Sequence, residues 1–258
     1  MTSLTALLFD VDGTLADTDR DAHRVAFNDT FIAYGLDWYW SETLYGQLLA
    51  ISGGKERIRF YLEHYHPQEL RRNNIEKFIA AIHHDKTQRY ISMLREGRVP
   101  LRVGVPRLLN EAREAQLRLA IVTTTNYDNV IALLEHSFCA DAVNWFGVIA
   151  AGDVVVAKKP APDIYHYALK KLDLPANQCL AIEDSSNGLR AARSAGICTL
   201  ITINDYTAQD DFTGAALVLN HLGEPTHPFT VLQGDAGESR WVEIALLRRV
   251  LNFTVTNS

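Results

Sequence analysis

The stretch LLFDVDGTLADTD, residues 7–19, decides how this chain reads. Its apolar run, Leu7 to Phe9, ends in two aspartates separated by one residue, Asp10 and Asp12, before the chain turns at Gly13. A short apolar run closed by turn residues reads as a buried strand, which puts both carboxylates at a strand's carboxyl end. Like charges that close repel, so a shared site has to neutralise one of them or hold back a proton. A metal ion, a proton for transfer, or a solvated turn each meets that requirement.

Working outward, further apolar runs occur at 118–123, 146–150, 179–182, 198–203 and 216–219. The segments PRLLNEAREAQ, NVIALLEHSF, DIYHYALKKL and NGLRAARSAG carry apolar residues every three or four positions, as on one helix face. That alternation predicts an α/β fold with a doubly wound, mainly parallel, Rossmann-like sheet. A last amphipathic stretch, RWVEIALLRRVLNF, is expected to pack on the sheet's outside. The first connection breaks the pattern: RDAHRVAFNDTFIAYG, SETLYGQLLA, KERIRFYLEHYH and a segment over about 73–95 read as helix after helix. Roughly 80 residues are too many for a crossover. The chain is therefore expected to divide into an α/β core, 1–16 and 97–258, and an inserted all-helical module, 17–96. Grown from the carboxyl end of the first strand, that module would lie over the ligand as a lid.

With 258 residues, 47% of them hydrophobic, the chain can bury a large core. Its net charge of −6 is spread along the sequence without a lysine or arginine block, which argues against nucleic acid as a partner. No apolar run approaches a membrane span and no secretory leader stands at the start, so a cytoplasmic protein is expected. Cys139, Cys179 and Cys198 stand far apart and are odd in number; they read as buried thiols of a reducing compartment. Sequence leaves the oligomeric state open, with a monomer the simplest expectation.

Chemistry collects at the strand ends. The second run closes in Thr123, Thr124, Thr125 and Asn126; the third is followed by Lys158, Lys159 and Pro160; the fourth closes in Glu183 and Asp184, ahead of Ser185 and Asn187. Carboxylates suit a hard divalent cation, while hydroxyls, turn amides and an ammonium suit a phosphoryl group. Each piece alone has a blander reading, such as a helix cap, a solvated lysine pair or an acidic helix start. Together and in this order they describe a site for magnesium and phosphate.

The four motifs DVDGTL, the Thr ending the second core strand, the Lys before PAPDIY, and EDSSNG resemble the haloacid dehalogenase superfamily of phosphotransferases, and the helical insert matches that family's cap. True dehalogenases of the superfamily lack the second aspartate, so Asp12 points to phosphoryl transfer. The resemblance implies that Asp10 is a nucleophile forming an aspartyl phosphate, and that Asp12 acts as acid and base while its main-chain carbonyl helps hold magnesium. It implies further that Asp184, with Glu183 nearby, completes the Mg2+ site, and that Thr123 and the amide of Thr124 bind phosphoryl oxygens. Lys159, or Lys158 in its place, would neutralise the nucleophile and the transferring group. On this view the metal keeps Asp10 ionised, and the negative charge beside it raises the proton affinity of Asp12.

Specificity would come from the cap. Gly53 and Gly54 precede a helix carrying Lys55 and Arg57, so bare amides, a helix dipole and two cations could hold a second anion; a glycine turn before a solvated helix is the alternative. HRVAFN, GLDWYW, GGKERI and DDFTGAALVLNHLGEP resemble the CbbY branch, which accompanies carbon fixation in the Calvin cycle and removes the 1-phosphate of xylulose 1,5-bisphosphate, an inhibitor of Rubisco. A bisphosphate would explain two anion sites. The branch often carries a glutamate where this chain has Asp17, so a contact from Asp17 to sugar hydroxyls would be longer or carried by water. His23, Asn28, Tyr45 and Asn126 are further candidates for substrate contact, while Trp38, Tyr39 and Trp40 read as cap packing. A beta-phosphoglucomutase, a phosphoglycolate phosphatase, a phospho-receiver and a sugar-phosphate-binding module are the competing readings.

Overall fold

The computed structural model describes residues 3–256. Its sheet has seven strands, β1 (Ala6–Phe9), β2 (Arg118–Thr123), β3 (Phe146–Ala151), β4 (Cys179–Glu183), β5 (Cys198–Thr202), β6 (Leu217–Leu219) and β7 (Val231–Gly234). They are ordered β3-β2-β1-β4-β5-β6-β7, and all neighbours are parallel except β6 and β7. The chain builds outward from β1 to β3 and then returns to the other side of β1. That reversal opens a crevice beyond the carboxyl ends of β1 and its neighbours. Register sharpens the point: Phe9 pairs with Ile121 on one side and Ile182 on the other, so Asp10, Val122 and Glu183 leave the sheet at one level.

Strand β1 is buried on both faces, and alternation sorts its side chains. Leu7 and Phe9 join a cluster with α5 (Val105–Glu114), α6 (Tyr127–Ser137) and α9 (Ile244–Thr256), while Ala6 and Leu8 join one with α7 (Asp163–Leu172) and α8 (Ser186–Ser194). The expected outer helix is α9, which buries Leu246, Leu247 and Leu251. Cys179 and Cys198 are buried, as expected, whereas Cys139 is only half-buried.

The insert comprises a π-helical turn, Asp19–His23, then α1 (Arg24–Ala33), α2 (Glu42–Leu48), α3 (Gly54–Tyr65) and α4 (Ile75–Arg95), with a 3-10 turn at Pro67–Arg71. It has its own aromatic core of Phe27, Phe31, Trp38, Trp40, Tyr45 and Tyr61, with Phe31 edge-on to Trp40 at 5.0 Å and Trp40 edge-on to Tyr61 at 5.4 Å. Asn28 belongs to this scaffold: its amide donates to the Trp40 carbonyl at 3.0 Å and accepts from the Trp40 N–H at 2.8 Å, which removes it from the substrate candidates. Tyr39 is exposed, in contrast to its two tryptophan neighbours. The feet of α1 and α4, through Ala22, Ala26, Tyr90, Met93 and Leu94, pack into the main core, so the insert is rooted in the sheet layer.

Candidate active site

Three charged side chains interlock where β1, β4 and the loop after β3 meet. Lys159 donates to Asp10 at 2.7 Å, to the Val122 carbonyl at 2.8 Å and to Glu183 at 2.6 Å. Lys158 turns the other way, to the Gly152 carbonyl and Asp153, so the lysine facing the nucleophile position is Lys159. Glu183 is fully buried and also accepts from the Tyr165 hydroxyl, an anchor that the sequence reading missed. Burial opposes a charged Lys159, but Asp10 and Glu183 outweigh it and hold its pKa above the usual lysine range.

Asp184 lies beside them, with one carboxylate oxygen accepting from Asn204 at 2.7 Å and the other 3.5 Å from the Thr14 hydroxyl. The turn after Asp12 reaches this close only because residue 13 is glycine. Gly13 has φ +82°, and a Cβ there would fall 2.3 Å from Asp184 Oδ2. Burial, reinforced by the charges of Asp10 and Glu183, holds the Asp184 carboxyl well above the usual carboxylate range. Burial also pushes Asp10 up to about 8, against the pull of Lys159. Asp10, Glu183 and Asp184 offer oxygen atoms that lie within 4.8 Å of one another. An all-oxygen donor set carrying more negative charge than its one lysine neutralises fits a hard divalent cation such as Mg2+.

Asp12 is the exception to what the sequence led us to expect. Its carboxylate is turned away from that cluster toward the Thr18 hydroxyl and the His23 ring, 3.0 Å from Nε2. Lys86 Nζ stands 2.6 Å from the other ring nitrogen, Nδ1, and Tyr90 stacks on the imidazole at 4.2 Å. An ammonium donates only, so Nδ1 accepts and the imidazole proton belongs on Nε2, aimed at Asp12. Burial works to raise Asp12, but His23, Thr18 and Lys86 overcome it and hold the carboxyl down at about 2. Without a bound cation, burial therefore makes Asp10 the proton-hungry carboxyl and leaves Asp12 ionised, whereas the expectation of an ionised Asp10 concerns the site with its metal. Lys86, drawn down to about 7 by burial, went unnoticed in the sequence. Its signal was a charged residue on the buried face of α4, in the row Ile79, Ile82, Lys86, Tyr90, Met93.

A cavity of about 370 Å³ connects this centre to the insert. Thr123, Thr124, Thr125 and Asn126 line its floor; Thr123 accepts from the Thr125 N–H at 3.2 Å, and Asn126 caps α6 by accepting from the Asn129 N–H at 2.9 Å. Gly53, Gly54, Lys55 and Arg57 line the cavity from the insert. Arg57 is fixed by the carbonyls of Leu48 and Ile51 and by the Tyr45 hydroxyl, while Lys55 reaches across to Asp153 at 3.4 Å.

Two candidates sit elsewhere. Tyr45 is fully buried outside the cavity lining, accepting from Arg57 at 3.0 Å and donating to Asp19 at 2.8 Å, so it braces two lining residues from behind. Asp17 pairs with Arg102 at 3.2 Å outside the cavity lining, whereas Asp19 is among the carboxylates that line it. Asp19 opens the π-helical turn, and Asp17 stands in the segment before it.

A switch-point crevice with an aspartate held by a buried lysine, beside an oxygen-lined cation pocket, defines an enzyme of phosphoryl transfer of the haloacid dehalogenase type. The chain belongs to that family: its residues 4–196 match the haloacid dehalogenase-like hydrolases. It is a phosphatase of sugar phosphates, and proteins named CbbY are among the relatives it resembles. The plasmid-borne CbbY of Cupriavidus necator is 48% identical over 245 residues, 95% of this chain and 96% of the relative. A mutant CbbY from Rhodobacter sphaeroides, solved in complex with xylulose-(1,5)bisphosphate, is similar at a TM-score of 0.76 and 44% identity, over 84% of this chain and 94% of that one. A beta-phosphoglucomutase from Clostridium difficile shares the fold, with a TM-score of 0.74 at 20% identity over 98% and 99% of the two chains.

Proposed function

We propose that this phosphatase removes the 1-phosphate of xylulose 1,5-bisphosphate through a phosphorylated Asp10. The observation that carries the reading is a single cavity with anion-binding groups from both the core and the insert. Lys159 and the Thr123–Thr124 turn stand at the nucleophile, and Lys55, Arg57 and the amino terminus of α3 come from the insert. A substrate with one phosphate would leave one set unmatched. The CbbY complex with the bisphosphate supports the same choice.

Asp10 attacks phosphorus and the ester P–O bond breaks, with Lys159 holding the carboxylate in line and countering the charge of the transferring group. Asp12, ionised at rest, takes a proton from solvent as the phosphate dianion enters beside it and passes that proton to the leaving alcohol. In the second half-reaction Asp12 takes a proton from water, the water oxygen bonds to phosphorus, and the Asp10–phosphorus bond breaks. Asp10, Glu183 and Asp184, with the Asp12 main-chain carbonyl, are the residues that would hold Mg2+, which when bound supplies positive charge to the phosphoryl oxygens. The chain's division into core, 1–16 and 97–258, and cap, 17–96, goes with this reading, the cap choosing the substrate.

The test is turnover over Michaelis constant with magnesium present, measured on xylulose 1,5-bisphosphate, phosphoglycolate and beta-glucose 1-phosphate, with the Asp10→Asn variant as the zero. A preference for the bisphosphate of about a hundredfold, or about 2.7 kcal/mol of transition-state discrimination, is expected. Equal or reversed selectivity would leave the phosphatase chemistry standing and remove this substrate.

A further inference from the structure

The cavity wall carries an imidazole that the reaction above does not use. His83 lies on α4 three residues before Lys86, on the same helix face, and lines the cavity. No hydrogen bond to protein occupies its ring nitrogens among the described residues, whereas the imidazole of His23, nearby, has partners on both. The ring rests on the main chain of Gly54, where a Cβ would fall 2.5 Å from Nε2 and 2.6 Å from Cδ2. Gly54 needs no special backbone angle; it is the absence of a side chain that makes room for the imidazole.

Its surroundings keep this ring neutral. Burial comes first, then Lys86, Lys55 and His23, against Asp153 alone on the other side, and together they draw it down to about 3. A neutral imidazole has one donor and one acceptor, unlike the lysines and carboxylates around it, and that pairing suits a hydroxyl, which also gives and takes one hydrogen bond. A substrate reaching from Asp10 to Lys55 would lay its carbon chain along this wall.

We propose that His83 is a specificity-determining residue that hydrogen-bonds a hydroxyl on the sugar chain between the two phosphates. The inference rests on the bisphosphate reading. A site built for a hydroxyl discriminates strongly against an analogue lacking it, because the imidazole is then left without a partner.

The test uses three substrates and five proteins. The substrates are xylulose 1,5-bisphosphate, the bisphosphate of 1,5-pentanediol, which has the same span and no hydroxyl, and p-nitrophenyl phosphate. The proteins are wild type, His83→Phe, Gly54→Ala and the double variant His83→Ala/Gly54→Ala with its His83→Ala parent. Wild type should favour the sugar over the diol bisphosphate in kcat/KM by at least tenfold. His83→Phe should erase most of that ratio while its kcat/KM on p-nitrophenyl phosphate stays within threefold of wild type. Gly54→Ala, which displaces the ring, should lose the ratio likewise, and should cost little more in the His83→Ala background. A ratio that survives in His83→Phe overturns the proposal, as does an equal loss on both bisphosphates, which would assign the ring to phosphate. An equal loss on all three substrates would make its role structural, and absence of any wild-type ratio would leave no specificity for it to carry. Failure of the bisphosphate reading is seen separately, as wild-type preference for a monophosphate.

Discussion

At the scale of single residues, the pair Asp10 and Asp12 shows how neighbours decide which carboxylate holds the proton. From sequence the two differ only in order, and the metal on Asp10 together with the negative charge beside Asp12 was expected to set them apart. The chain itself separates them, with burial lifting Asp10 to about 8 and the His23–Lys86 pair pinning Asp12 at about 2. Both His23 and Lys86 come from the insert, so the basicity of Asp12 depends on where the insert sits. His23→Leu should therefore weaken Asp12 as an anion. A carboxyl held low by a partner regains proton affinity when the partner goes, so the acidic limb of kcat against pH should move upward by about one unit, the equivalent of one charge-assisted hydrogen bond of roughly 1.5 kcal/mol. A limb that stays in place would show that His23 does not tune Asp12.

At the scale of elements, Arg102 illustrates what pattern reading misses. It stands in the second connection between insert and core, and its guanidinium donates to the carbonyls of Gly13, Thr202, Ile203 and Asn220 while pairing with Asp17. One side chain thus ties the turn after β1 to the carboxyl ends of β5 and β6. Arg102→Met keeps the bulk and strands four carbonyls, and it should cost about 3 kcal/mol, read as a fall in Tm of roughly 6–12 °C; a fall under a degree or two would mean that water replaces the arginine. Strands β1 to β6 were legible because each is a continuous apolar run that only a doubly covered sheet can use. Strand β7 was not, since all four of its residues are exposed and nothing in Val231–Gly234 repeats. The site was legible where a motif ends a strand, as with Asp10, Thr123, Lys159 and Asp184. It was misread inside the insert, where Asp19 and not Asp17 lines the cavity and Tyr45 stands behind the wall. Asp17 was carried over from a resemblance, which fixes a position in the sequence and says nothing of the direction its side chain takes.

At the scale of the whole molecule, the insert, away from its buried feet, meets the core through contacts that are individually weak. Lys55 meets Asp153 at 3.4 Å, Arg20 meets Asp205 at 2.8 Å, the Asn187 amide donates to the Ala50 carbonyl at 3.3 Å, and Tyr206 packs on Tyr45 at 5.9 Å. Exposed ion pairs of this kind contribute about 0–1 kcal/mol each. The larger electrostatic quantity lies below them, where the buried carboxylates of Asp10 and Glu183 share one lysine and Asp184 lies beside them. Asp184 keeps a raised pKa in the folded protein, so the fold binds a proton at pH values where the unfolded chain has released it. Stability of the metal-free protein should then fall as pH rises above about 4, the ordinary carboxylate range. Magnesium would relieve the same repulsion by binding only the folded form, adding about 2.7 kcal/mol at a hundred times its dissociation constant, or roughly 5–10 °C in Tm. Asp184→Asn removes one charge from the cluster. Without metal at pH 7.5 it should melt no lower than wild type, with its advantage fading as pH falls toward 4, and it should gain nothing from magnesium. EDTA-treated wild type and variant, melted with and without the ion, separate the possibilities: if the variant keeps the full magnesium response, the cation binds somewhere other than beside Asp184.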